Sequence, residues 1–389
     1  MSLISMIDCI IILNNDKLPD VGERTRGMFV LESLNSGIST ILIMTISLMK
    51  HIKITNILLF KFSIFDELFN SGNIAMMRRN EMFVFIQTLI IIFVFNCIFI
   101  ADFVVVTSDK NITHIWKAHV IGEYISTFIS VITITQFVDF VQLLKQKIIT
   151  INNNLIKTRF DGDGEEECNQ DILFKTYTYY DMKVFQVSAE LKNKDNFEEK
   201  FKKWCDSHIT LNFDDSFKLS QAKNIRALRI CQDILCDICC MLNSLYGTQL
   251  LIFTIFNFLA MTSNLSYGII SLLTRVENQQ TYRFPVYDSF LWAAMIFIIQ
   301  LYPMASCSET SNESKKTLIL IHKFLLKPGV DPEVLTELKL FSQQVNNRTI
   351  KFSAMDFFTI NYKNLGAMVG ASVTVLLMFL QFQHVNNLF

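Results

Sequence analysis

Charge is scarce in this chain of 389 residues, and what there is cancels: 18% of positions are Asp, Glu, Lys or Arg, and the formal net charge is -1. So even a balance gives no bulk attraction to nucleic acid or to an anionic membrane surface, which argues against a nucleic-acid partner. A nucleophile paired with a base is missing, as is a cluster of metal ligands, so neither an enzyme nor a cofactor is implied. Two inverted halves with broken helices are absent as well, which weighs against a transporter. No Lys or Arg precedes the opening apolar run, Met1 to Leu13, and no small-residue cleavage site follows it, so a cleavable signal peptide is not expected. Among the nine cysteines, Cys231 and the group Cys236, Cys239 and Cys240 lie on an apolar helical pattern with no His nearby. Buried reduced thiols are therefore expected in place of a zinc site.

Apolar residues are in excess. They make up 51% of the chain, with 35 Phe and a mean hydropathy of +0.34, more than a water-soluble core of this size needs. The surplus must face lipid. Crossing a hydrocarbon layer of about 30 Å takes roughly 20 mostly apolar helical residues. Stretches near 28–50, 82–106, 118–143, 246–273, 287–307 and 365–383 meet that requirement. The run from Met1 to Leu13 is broken by Asp8 and reaches only about 20 Å, so it reads as a short or truncated first span. The expected fold is all-α, polytopic and seven-span: spans one to four within 1–143 (the short first at 1–13), a cytoplasmic loop at 144–245, spans five and six within 246–307, cytoplasmic helices at 308–364, and the last span with a short tail at 365–389.

Orientation follows from Lys and Arg, which accumulate in cytoplasmic loops. Residues 50–81, 144–245 and 308–364 hold 28 of them, and the opposite side holds 7. Without the long 144–245 loop the split is still 13 to 7. The N-terminus is thus expected in the cytoplasm and the C-terminus outside, the reverse of a G-protein-coupled receptor. The sequon at Asn111 falls in an outer loop and is a candidate glycosylation site, whereas those at Asn312 and Asn347 fall inside.

The 144–245 insertion has two parts. Residues 158–169, TRFDGDGEEECN, suit a polar connector; Asp161, Asp163 and Glu165 resemble a calcium loop, but Glu166 stands where Gly is needed and no closing Glu follows. Further on, Leu219, Ala222, Ile225, Leu228, Cys231 and Leu235 recur at helical spacing. A second helical pattern over 313–350 is punctuated by Pro328-Gly329, which predicts a helical hairpin.

The last span carries Thr374, five apolar residues from Leu376 to Leu380, then Gln381 and Phe382. This resembles the signature that closes insect gustatory receptors, with Val375 in place of the usual Tyr. The upstream text SNESKKT at 311–317, Ile321-His322-Lys323, Phe341-Ser342-Gln343-Gln344 and Phe352-Ser353-Ala354-Met355-Asp356-Phe357-Phe358 is similar to the family's run into its final helix, with Asp356 replacing a Gly. Leu242 to Leu250 looks like the entry to the family's fifth span, so the resemblance covers 220–389. It extends more weakly to insect odorant receptors. The resemblance implies a tastant-gated, non-selective cation channel in the plasma membrane, a homotetramer or heterotetramer of gustatory receptor subunits. Each subunit would give its last span to the pore, cytoplasmic helices would form a shared anchor, and a small molecule (sugar, bitter or other) would bind in an outward-opening pocket. An odorant-receptor-like subunit or an obligate co-receptor is the alternative; a metabotropic receptor or transporter ranks below both.

From the residues themselves, Thr374, Leu377 or Met378, and Gln381 share one helical face. An intramembrane Gln must meet protein or water, so Gln381 with Phe382 is either part of a gating ring or a bond to a neighbouring helix. Pocket candidates in the outer half are Glu32, Asp102, Glu123, Tyr124, Tyr267, Tyr287 and Trp292, with Tyr124 and Trp292 first. Tyr and Trp also line membrane interfaces without binding anything, which is the alternative reading for this set.

Overall fold

A computed structural model describes residues 74–108, 114–157, 217–278 and 284–386, with helical positions at 38–43, 45, 55, 57–59, 61, 62 and 65. The short first apolar run, the connector at 158–169, Glu32 and Asn111 lie outside the described residues. The elements are α1 (Ile74–Ser108), α2 (His114–Lys157), α3 (Phe217–Asn278), α4 (Phe284–Leu325), α5 (Pro332–Asn347), a hairpin of β1 (Ser353–Ala354) and β2 (Phe358–Thr359), and α6 (Tyr362–Asn386).

Helix length exceeds what a membrane needs. The 62 residues of α3 extend about 90 Å, some three times a hydrocarbon layer, so much of this helix stands outside lipid. Tyr124–Ile156, Gln221–Ile269 and Ser289–Leu325 are each long and apolar enough to cross a bilayer, and shorter apolar stretches occupy Ile86–Ile100 and Tyr362–Met378. Along α1, Ile86, Leu89, Ile90, Phe93 and Val94 are exposed, Phe93 to 68%, an outward apolar face that suits lipid.

Packing is uneven along the bundle. At one end Phe137, Val141, Leu144, Ile148, Ile151 and Leu155 of α2 recur every three or four residues, all fully buried. They belong to one core with Ile225, Leu235 and Leu242 of α3, Cys307 and Ile321 of α4, and Val334, Leu338 and Phe341 of α5. At the other end Phe95, Val131 and Met295 form a second buried cluster among the described residues.

The punctuation read from the sequence is seen in the turn into α5. Gly329 takes φ 85, a left-handed value open to glycine, and Asp331 caps α5 by accepting from the Glu333 N–H at 3.1 Å, with Pro332 in the first turn. Val334, Leu338, Phe341 and Val345 then form the buried stripe of α5.

After α5 the chain folds onto α3. Asn243 donates to the Lys351 carbonyl at 2.8 Å and accepts from the Ser353 N–H at 3.2 Å. A Cβ at Gly247 would sit 3.2 Å from the Met355 nitrogen, so glycine there permits the close approach of hairpin and helix. Ser353 pairs with Thr359 and Ala354 with Phe358. The turn between them puts Met355 at φ 50 and Asp356 at φ 59, with Ser353 Oγ donating to Asp356 Oδ1 at 2.8 Å. The Tyr362 N–H, donating to Ser308 Oγ at 3.1 Å, ties the start of α6 to α4.

Candidate functional site

Two of the sequence candidates meet. Tyr124 on α2 stacks on Phe99 (ring centroids 3.5 Å apart), Phe95 (5.4 Å) and Phe128 (5.7 Å), and its hydroxyl donates to Asn96 Oδ1 of α1. Trp292 of α4 packs against the same Phe95, Val131 and Met295 cluster. Three helices thus converge on an aromatic cluster with an amide and a phenol in it. Phe95, Phe99, Phe128 and Asn96 were not singled out from the sequence. Asn96 was legible, since an Asn in the run IIIFVFNCIFI has no lipid-compatible partner.

The other pocket candidates separate. Tyr267 is half-buried on α3, one residue before Gly268, where an added Cβ would lie 3.1 Å from the Phe290 ring of α4. Tyr287 is exposed. Asp102 and Glu123 belong to α1 and α2, but their side chains lie outside the described residues.

A second polar group lies further along the same helices. Thr88 of α1 donates to Asp139 of α2 at 2.9 Å, and Gln142 reaches Gln87 at 3.4 Å and the Tyr302 hydroxyl at 3.5 Å. Deeper in α3, Cys236 Sγ lies 3.2 Å from the Arg348 carbonyl and Cys239 Sγ 3.4 Å from that of Lys351, so both thiols are used as donors. Cys231, Cys236, Cys239 and Cys307 are free and buried. No group of three His, Cys, Asp or Glu able to hold a metal occurs among the described residues.

Arg348, between α5 and the hairpin, forks onto two carboxylates one turn apart on α3. One guanidinium nitrogen bonds Asp233 and the other bonds Asp237 at 2.7 Å, while Lys61 reaches Asp237 at 3.2 Å. Burial works against the Arg348 charge, but its hydrogen bond to Asp237 and the charge of, and hydrogen bond to, Asp233 outweigh it and raise its pKa above the ordinary value.

On α6, Thr374, Leu377, Met378 and Gln381 are all exposed, and Thr374 Oγ1 donates back to the Gly370 carbonyl at 2.9 Å. The Phe382 side chain lies outside the described residues. Within one chain this face is bare among the described residues. The opposite face of α6, with Leu365 and Ser372 buried and Met368 half-buried, rests on α3 and α4.

The chain is 26% identical over 223 residues to a Drosophila melanogaster protein provisionally named gustatory receptor 28b; the match takes in 54% of this chain and 47% of that one, so it spans about half the length of the relative. Its fold is similar to that of the insect olfactory receptor OR5 from Machilis hrabei, with a TM-score of 0.57 at 10% identity, covering 98% of this chain and 87% of that one. The same receptor in complex with eugenol gives 0.54 at 11% identity, with the same coverage of both chains. The profile of the 7tm chemosensory receptors matches residues 26–386, nearly the whole sequence, and this helical membrane protein belongs to that family.

Proposed function

We propose that the protein is a gustatory receptor subunit, a tastant-gated cation channel in which four copies surround one pore lined by α6. The observation that carries this reading is the bare face of α6. Thr374, Leu377, Met378 and Gln381 are exposed together, two polar groups among apolar ones, on a helix whose other side is buried against its own chain. Lipid is a poor partner for Gln381, and a water-filled axis shared by several copies is a good one. In this arrangement seven spans cross the membrane with the N-terminus inside and the C-terminus outside. The dense core of α2, α3, α4 and α5 stands in the cytoplasm as a shared anchor.

The aromatic cluster at Tyr124 and Trp292 is the ligand pocket. Eugenol, bound by the structurally similar olfactory receptor, is a small phenol of the size and polarity that such a cluster would hold. Ligand opens the channel by binding more tightly when the α6 helices are apart.

The test is current. Cells expressing this chain should pass cation current on exposure to some member of a broad panel of sugars, bitter compounds and volatile phenols, and Tyr124→Ala should weaken the apparent affinity by roughly ten-fold. A glycosylation tag added after Phe389 should be modified. Current that appears only on co-expression with a second gustatory receptor identifies an obligate heteromer, and an unmodified tag overturns the orientation.

A further inference from the structure

Beyond the Tyr362–Ser308 tie at its start, α6 meets its own subunit along a seam on α3 and α4 in which two further rungs are polar. In the first, Gln300 of α4, 3% exposed, donates from Nε2 to Thr254 Oγ1 of α3 at 3.2 Å and contacts Met368 Sδ of α6 at 3.8 Å. Its Oε1 accepts from Asn257 of α3 at 3.3 Å. In the second, Thr262 Oγ1 of α3 lies 3.2 Å from Ser372 Oγ of α6, and Ser372 is 2% exposed. Thr262 also bonds the Phe258 carbonyl of its own helix at 2.8 Å.

The chemistry of these rungs is unlike that of a permanent contact. A thioether is a weak acceptor, so losing Met368 costs Gln300 little, and Asn257 and Thr254 still satisfy both ends of its amide. Thr262 likewise keeps its bond to Phe258 when Ser372 leaves. A buried polar group that loses its only partner carries the full desolvation cost, but Gln300 and Thr262, the groups that face α6 in these two rungs, each have a second partner. These two rungs can therefore open without stranding the Gln300 amide or the Thr262 hydroxyl in an apolar interior.

We infer that Gln300 is a latch: it positions α6 at rest and releases it cheaply when α4 moves. Its place on α4 connects it to the aromatic cluster. Trp292 and Met295 contact that cluster, Ile299 packs against it, and Gln300 is the next residue, about 12 Å along the helix from Trp292. One continuous helix bears both the pocket wall and the latch, so a shift of α4 at Trp292 is delivered to Met368. This inference rests on reading α6 as the pore helix, and Gln300 acts through α6 rather than on ligand or ions.

The experiment separates the two. Ser372→Cys in the full chain places a thiol in the seam, and its alkylation by N-ethylmaleimide in isolated membranes, followed by peptide mass spectrometry, reports how often the seam opens. Adding Gln300→Leu should speed alkylation about three-fold, the usual worth of one interhelical hydrogen bond in a membrane. Met368→Leu, which conserves volume and so guards against misfolding, should act in the same direction. Ligand-free cation current in the same cells should rise with alkylation. Unchanged alkylation in both variants, at surface expression and oligomer size equal to the parent, overturns the latch even where the parent carries evoked current. Faster alkylation with no current from any variant supports the latch and removes the channel reading instead.

Discussion

Met355 and Asp356 sit in left-handed backbone that costs most L-residues about 1–2 kcal/mol, and Asp356 is where the sequence departs from the family's Gly. Structure explains why the departure is tolerated: Asp is among the few residues whose short polar side chain eases this conformation, and its carboxylate accepts from Ser353. Asp356→Ala, which keeps the strain and loses the bond, should lower stability by about 1–2 kcal/mol, while Asp356→Gly should stay within about 0.5 kcal/mol of the parent. Thermal-shift chromatography of detergent-solubilised protein measures both, and equal melting temperatures for the two variants would count against this account of the turn. Arg348 makes a sharper case. Its fork spans Asp233 and Asp237, a geometry an ammonium cannot copy, so Arg348→Lys should restore little of the loss seen in Arg348→Ala. Because Arg348 is partly solvent-screened, that loss should be about 1–2 kcal/mol, and full rescue by Lys would reduce the fork to simple charge. The sequence candidates Tyr124 and Trp292 pack on one cluster, whereas Gln300 was not among the candidates. Gln300 in the run FIIQLYP is, like Gln381, a lone amide in an apolar helix and is legible on the same ground.

At the scale of elements, periodicity did its work where the period is long. Ala222, Ile225, Leu228, Cys231 and Leu235 of the helical pattern lie on the buried stripe of α3, and Pro328-Gly329 marks the turn between α4 and α5. Nothing in the sequence pattern announced the hairpin, because strands of two residues have no period to detect. It is held by tertiary partners instead, chiefly Asn243 and the open backbone at Gly247. Gly247→Ala therefore tests the docking. Its Cβ would meet backbone at Met355, which cannot rotate away, so the hairpin must move by a few tenths of an ångström and stability should drop by about 1 kcal/mol. Gly268→Ala meets only the Phe290 ring, which can turn, and should cost less; the reverse order of melting temperatures would show that α3 and the hairpin are not so tightly joined.

For the whole molecule, the distribution of partners along α6 sets what a single chain can and cannot do. Its inner seam is filled by α3 and α4, and its outer face offers Thr374, Leu377, Met378 and Gln381 to nothing within the described residues. Symmetry around a shared axis is the economical way to cover such a face, since one surface then serves in every copy. In that setting Gln381 decides between two readings that the sequence left open. A ring of amides at a constriction keeps water there, so Gln381→Leu should dry the constriction and cut evoked single-channel conductance by more than half, while leaving oligomer size unchanged. Gln381→Glu adds negative charge to the same ring and should raise the preference for cations over anions. An amide that merely bonds a neighbouring helix predicts the opposite pattern: Gln381→Leu would loosen the assembly, visible as an earlier dissociation on chromatography, with conductance per intact channel preserved.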